Sequence, residues 1–242
     1  MTDHRSPIIV HHSLITDHRS PFTVHPLQNT DHRSPFTANQ SPFTVHPLGL
    51  VDYETVWRRM RDFSLSRNAD TADEIWCVEH PPVYTLGLAS RPEHLPRTSN
   101  KIPIVQSDRG GQISYHGPGQ AIVYPLLDLR RRGLGVRNLV RKLEFAVIKL
   151  LAAHGIEACG NDTAPGVYVG KAKIAALGLR IRNGCCYHGL SLNVDMDMTP
   201  FEAINPCGYP GLKLTQTRDL GIADTPTQLG QKLAEFLVEE LG

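Results

Sequence analysis

A cysteine, a lysine and a glycine-rich string carry the chemistry that can be read from this chain. Cys207 stands in Asn205-Pro206-Cys207-Gly208-Tyr209-Pro210-Gly211, where proline and glycine exclude a regular helix or a central strand. A cysteine on such a loop is better placed to face a pocket than to fill a core. Upstream, Lys173 follows Gly170-Lys171-Ala172 and opens the run Ile174-Ala175-Ala176-Leu177-Gly178. A lysine beside a thiol stabilises the thiolate, which is the reactive form. The third segment is Arg109-Gly110-Gly111-Gln112-Ile113-Ser114-Tyr115-His116-Gly117-Pro118-Gly119-Gln120. Its glycines let backbone approach a ligand and expose amide donors, and Arg109 and His116 add polar groups. Together the three point to acyl transfer through a thioester.

Each segment also has a plainer reading. A lysine at a strand end is commonly a solvated edge residue, and Lys171, two positions away on the same strand face, rivals Lys173. A glycine-rich turn also serves as a tight connection between strands. This one lacks the Gly-Lys-Ser/Thr that closes a P-loop. In His188-Gly189-Leu190-Ser191, glycine and a small residue again enter a strand. His188 could orient a carbonyl or be a satisfied structural histidine. The remaining cysteines suit a nucleophile less well. Cys77 lies in Ile75-Trp76-Cys77-Val78, a core-like strand where a thiol is inert, and Cys159 and the pair Cys185-Cys186 lie near turns without an activating group. No Cys-x-x-Cys pair exists and Cys185-Cys186 are adjacent, so the cysteines do not resemble a zinc site; a histidine-rich tract such as residues 1–48 can bind metal, but no metal or cofactor is expected.

Composition narrows the class. The 242 residues carry 25 basic and 24 acidic side chains, a formal charge of +1, which gives no electrostatic case for nucleic acid. No apolar run approaches the roughly 20 residues that span a bilayer. The N-terminus lacks the pattern of a signal peptide, so a cytoplasmic protein with reduced thiols is expected.

Residues 1–48 repeat themselves. Thr-Asp-His-Arg-Ser-Pro begins at Thr2, Thr16 and Thr30, and Ser-Pro-Phe-Thr-Val-His-Pro-Leu at Ser20 and Ser41. No amphipathic period survives their prolines, so this stretch is expected to be a disordered low-complexity tail. The catalytic domain is expected over 49–242. Asp52 is the expected N-cap of a helix to about Arg67, with Val56, Trp57, Met60 and Phe63 on one face. Strands are expected at 74–79, 83–86, 120–127, 166–169, 173–181 and 187–194. A helix from Val136 to about His154 has Leu139, Leu143, Val147 and Leu150 at helical spacing, with Gly155 as its stop. A last helix starts after Thr225-Pro226. Many strands with few helices between them argue for an α+β fold rather than a doubly wound sheet.

These pieces together resemble the lipoyl (octanoyl) transferases of lipoate biosynthesis. The resemblance covers residues 49–221. It rests on Glu79-His80-Pro81-Pro82-Val83-Tyr84-Thr85-Leu86-Gly87, on 109–120, on Pro165-Gly166-Val167-Tyr168-Val169, on 173–180, on 188–193 and on Asn205-Pro206-Cys207-Gly208. It implies a mixed β-sheet flanked by helices, like the biotin and lipoate protein ligases. It implies transfer of an octanoyl group from acyl carrier protein to a lysine of a lipoyl domain, without ATP. The acceptors it implies are the lipoyl domains of 2-oxoacid dehydrogenase complexes and the glycine cleavage H protein. By the same resemblance Cys207 carries the acyl thioester, and Lys173, directly before Ile-x-x-Leu-Gly, is its partner base. The implied substrate contacts are Arg109, Gly110, Gly111, Gln112, Ile113, Ser114, Tyr115, His116, Ala176, Leu177, Gly178, Gly189, Leu190 and Ser191. Such partners carry acidic surfaces, and the run Arg130-Arg131-Arg132 offers basic groups to steer them, or is a solvated turn.

Overall fold

The computed structural model describes residues 43–96, 101–161, 163–204 and 211–242. Two sheets organise them. The larger holds strands β1 (Thr44–Leu50), β2 (Glu74–Glu79), β6 (Gln120–Asp128), β7 (Cys159–Gly160), β8 (Gly166–Val169), β9 (Ala172–Arg182) and β10 (Cys185–Asn193). Their order is β1-β2-β6-β10-β9-β8-β7. All neighbours are antiparallel except β1 and β2, so the sheet is mixed. The smaller sheet has the order β4-β3-β5, from β3 (Val83–Leu86), β4 (Ile104–Gln106) and β5 (Ile113–His116).

Helices cover both faces of the large sheet. The Asp52 carboxylate accepts the Thr55 amide at 2.9 Å and starts α1 (Tyr53–Ser66), a cap worth about 1 kcal/mol. Val56 and Met60 of α1 are fully buried against Trp76, Ile122, Tyr124 and Tyr187. On the other face lie α2 (Val136–Ala153) and α3 (Pro226–Leu241), the latter opened by a capping box between Thr225 and Gln228. Leu139, Leu143, Val147 and Leu150 of α2 and Leu229, Leu233 and Leu237 of α3 pack on Val123, Leu127, Ile174 and Leu190. Strand β6 is apolar from Ala121 to Leu127 because both of its faces are covered.

The expected tail boundary at residue 48 needs correction. Thr44–Leu50 is an edge strand, parallel to β2. Its proline is tolerated there because an edge position loses no ladder bond and the register shifts between Pro47 and Gly49. The Phe43 ring lies 3.9 Å below the Arg132 guanidinium, and the Thr44 amide donates to the Asp73 carbonyl at 3.1 Å. Residues 1–42 lie outside the described residues. The basic run is corrected too. Arg131 and Arg132 turn inward with Arg67 onto the fully buried Asp73 carboxylate, and only Arg130 of the run is exposed.

Candidate active site

The lysine is built into the wall of a cavity. Lys173, only 2 % exposed, lies in β9 opposite Tyr168 of β8. Its Nζ donates to the Pro165 carbonyl at 3.0 Å and stands 5.2 Å from the centre of the Tyr168 ring. Gly166, at φ +146, clears the path of this side chain. A Cβ there would meet Lys173 Cε at 2.9 Å and the Ala175 carbonyl at 2.6 Å. Lys171 sits in the β8–β9 turn and is exposed, so the two lysines do not share a strand face.

Cys207 lies outside the described residues, but the chain on either side is anchored. Ile204 is buried with Met196, Phe201 and Ala203. On the return limb Leu214 bridges to Lys173, whose amide donates to the Lys213 carbonyl at 2.8 Å and whose carbonyl accepts the Thr215 amide at 3.0 Å. The return limb of the cysteine segment is thus hydrogen-bonded to the backbone of the lysine. Among the other cysteines, burial pushes the Cys77 thiol up to about 11 and that of Cys186 up to about 12, and Cys185 is raised for the same reason. Cys159 is exposed on β7.

A cavity of about 360 Å³ lies beside Lys173, walled by β5, β9, β10 and α2. Its lining contains Arg109, Gly110, Gly111, Gln112, Ile113, Ser114 and His116, then Ala176, Leu177 and Gly178, then Gly189, Leu190 and Ser191. Three separate strings of the sequence therefore converge on one space. Tyr115 is the exception. Alternation along β5 sends its ring the other way, 5.3 Å from Phe201 and 5.6 Å from Tyr84. The Arg109 guanidinium braces the protein: it donates to Thr85 Oγ1 at 3.0 Å, the Thr85 carbonyl at 2.6 Å and the Gly110 carbonyl at 3.0 Å. The Gly110 amide donates to the Leu179 carbonyl at 2.8 Å and ties the glycine-rich loop to β9.

The polar end of the cavity contains a group of rings that sequence reading did not assemble. Tyr53 stacks near-parallel to His116 at 5.8 Å and to His188 at 6.5 Å, and meets His80 edge-on at 5.2 Å. Its hydroxyl shares a 2.7 Å hydrogen bond with Ser107. His80 Nδ1 donates to the Val51 carbonyl at 2.6 Å, so its Nε2 accepts from the Tyr124 hydroxyl at 2.9 Å. Burial drives both imidazoles neutral, with His80 lowered to about 4 and His116 to about 3. His116 Nδ1 then donates to Gln120 Oε1 at 2.7 Å, and Gln120 Nε2 donates to Asn193 at 3.0 Å.

Asp108 is the hub beneath these rings. Its carboxylate accepts Trp57 Nε1 at 2.7 Å, His188 Nε2 at 3.0 Å and the Tyr187 hydroxyl. Its carboxyl is held well below the usual range: burial opposes this, and the hydrogen bonds from His188, Tyr187 and Trp57 outweigh it. Asp108 immediately precedes Arg109, so it also fixes the start of the glycine-rich segment. No local pattern marks Asp108 or Tyr53. Each matters through partners far away in the chain.

The chain matches the lipoyl protein ligase A/B catalytic domain over residues 52–235 and belongs to that family. Its relatives include an octanoyltransferase of Nitrosospira multiformis, 60 % identical over 79 % of this chain and 89 % of the relative. An octanoyltransferase of Dechloromonas aromatica is also 60 % identical, over 79 % of this chain and 93 % of the relative. Among solved structures, a bipartite lipoate protein ligase from Thermoplasma acidophilum superposes with a TM-score of 0.65 at 14 % identity, covering 83 % of this chain and 84 % of that one. Lipoate-protein ligase A bound with ATP gives 0.62 at 14 % identity, over 84 % and 85 %. At such identities the likeness speaks for the fold alone. Among the described residues no helix is long and apolar enough to cross a membrane.

Proposed function

We propose that this chain transfers an octanoyl group from acyl carrier protein to a lysine of lipoyl domains, through an acyl thioester on Cys207. The observation that carries the proposal is Lys173. It is buried in the wall of an acyl-sized cavity, and its backbone is bonded to the limb that returns from the Cys207 segment. The high identity to octanoyltransferases supports the same reading.

The chemistry suits these groups. A free thiol has a pKa of about 8.5, so little thiolate is present at neutral pH without help. Lys173 serves as base and charge partner for the Cys207 sulfur. The thiolate attacks the octanoyl thioester, a new C–S bond forms, and the carrier's thiol leaves. One thioester replaces another, so the step needs no ATP. The amine of the acceptor lysine then attacks the thioester carbonyl, the C–S bond breaks, and Lys173 takes the amine's proton and returns it to the Cys207 thiolate, leaving an amide in a downhill step. An eight-carbon chain buried at about 0.8 kcal/mol per methylene contributes on the order of 5 kcal/mol, enough to favour its length over shorter acyl groups. The acceptors are lipoyl domains of 2-oxoacid dehydrogenase complexes and the glycine cleavage H protein, and the site of action is the cytoplasm.

An ATP-dependent ligase shares this fold but works through an acyl-adenylate and has no use for a nucleophilic cysteine. The test is incubation with octanoyl-carrier protein in the absence of nucleotide, followed by intact-mass measurement and peptide mapping. One octanoyl adduct on Cys207, lost in Cys207→Ser, is expected. An adduct on a different cysteine, or a strict need for ATP, overturns the proposal.

A further inference from the structure

Glu144 is a buried carboxylate that does not line the cavity. It lies in α2 beside the core residues Leu143 and Val147 and is 8 % exposed. A glutamate is seldom so buried unless it is paired. The β7–β8 hairpin is shaped to receive it. A Cβ at Gly160 of β7 would meet Glu144 Oε2 at 3.0 Å, so glycine leaves the room. Glu144 Oε1 accepts the Gly166 amide of β8 at 2.9 Å. That amide is one end of the Pro165–Gly166 peptide, and the other end receives Lys173: the Pro165 carbonyl accepts Nζ at 3.0 Å. The peptide is trans, so its C=O and N–H point in opposite directions. One rigid plane therefore stands between a buried carboxylate and a buried lysine, oxygen toward Nζ and N–H toward Glu144. Both ends polarise it in the same sense, and hydrogen bonds in such a chain strengthen one another. The backbone of Gly166, at φ +146, has the freedom of glycine, so the Glu144 bond and not local sterics fixes the plane.

We propose that Glu144 is a positioning residue for Lys173 and acts through the Pro165–Gly166 peptide. It fixes the carbonyl that receives Nζ and supplies negative charge behind that carbonyl. The inference rests on the reading of Lys173 as the base of the reaction. When Lys173 takes a proton, positive charge develops on Nζ in a wall that is nearly closed to water, the residue being 2 % exposed. A carbonyl polarised from behind is a stronger partner for that charge than an isolated peptide. A carboxylate in direct contact would bind the ammonium as an ion pair. With one peptide between them, Glu144 balances the charge and Nζ stays at the cavity, which both Pro165 and Lys173 line.

The test is a double-mutant cycle in the full-length enzyme, with octanoyl-carrier protein and a lipoyl domain as substrates. Glu144→Gln keeps the shape of the side chain and an acceptor for the Gly166 amide but removes the charge. Its kcat should fall about 10-fold, with KM and melting temperature near wild type. Glu144→Leu removes the acceptor as well and leaves a buried amide unpaired. Its kcat per folded molecule should fall about 10²-fold. In a Lys173→Ala background Glu144→Gln should cost nothing further, because a residue that acts through Lys173 has no partner left to act on. A carboxylate that only holds the hairpin together would lower both backgrounds alike. Equal fold-losses in the two backgrounds, or wild-type kcat in Glu144→Gln, overturn the proposal and leave Lys173 as the base. Wild-type turnover by Lys173→Ala itself overturns the base reading, and the role of Glu144 with it.

Discussion

Gly166 and Lys173 are fitted to each other: a single added carbon at 166 would stand 2.9 Å from Cε and 3.1 Å from Nζ of the lysine. The lysine could swing aside, but the Ala175 carbonyl at 2.6 Å is backbone and has no such freedom. Gly166→Ala should therefore displace β8 from β9 and move the ammonium away from the Pro165 carbonyl. Misplacement on the scale of 1 Å costs on the order of 10²-fold in rate, and that loss is expected in turnover with octanoyl-carrier protein. A Gly166→Ala enzyme of wild-type rate would show that the position of Nζ is not critical.

The two neighbouring lysines give a sharper contrast. Lys173 is buried in the cavity wall and Lys171 is exposed in the preceding turn. Lys173→Ala should lower turnover by about 10²–10⁴-fold, the usual worth of a positioned acid–base group. Lys171→Ala should leave turnover near wild type. Steady-state assays on both variants decide the matter, and equal losses would dissociate activity from the cavity.

Much of this arrangement was legible because it is written in local patterns. The 3.6-residue spacing of Leu139, Leu143, Val147 and Leu150 gave α2, and the Asp52 cap gave the start of α1. The glycine-rich string and the Lys173 run, taken with the family resemblance, name many of the residues that line the cavity, but not Tyr53, Tyr124, Val136 or Val140. What escaped depends on distant partners or on broken patterns. Strand β1 was hidden by a proline that only an edge position tolerates. Period-two reasoning put Lys171 and Lys173 on one face, but the turn at Gly170 removes Lys171 from the strand. The same reasoning cannot place His188, whose left-handed backbone cancels the alternation. The glycine-rich string groups Tyr115 with its neighbours, though strand geometry sends its ring away from them. Arg131 and Arg132 looked like surface charge because their counter-charge, Asp73, lies far upstream.

That buried cluster makes a prediction about stability alone. Asp73 is fully buried and takes ion pairs from Arg67, Arg131 and Arg132. It also accepts the Asp128 amide at 2.9 Å. Removing one partner of a buried ionic network leaves charge uncompensated and costs about 3–5 kcal/mol. Asp73→Asn should show that loss in its urea midpoint, while Arg130→Ala should not. The residual folded enzyme should keep its activity, because none of these groups lines the cavity. A variant that loses activity without losing stability would place the basic run in partner docking after all.

The buried imidazoles set how stability responds to acid. His80 and His116 hold folded-state values of about 4 and about 3, both depressed chiefly by burial, against about 6.5 in the unfolded chain. Between those limits the unfolded state binds the proton and the folded state does not, so stability rises with pH. The contribution is fully present above about pH 6.5 and is lost as the pH falls through that value toward the folded-state values. From pH 6.5 to pH 5 each histidine should remove on the order of 1.5 kcal/mol. Thermal unfolding of the wild type across this range should show the decline. His116→Gln, which keeps a donor for Gln120 but cannot titrate, should flatten it. An unchanged slope in that variant would mean that His116 already carries its proton in the folded protein, and that the polar end of the cavity is charged rather than neutral.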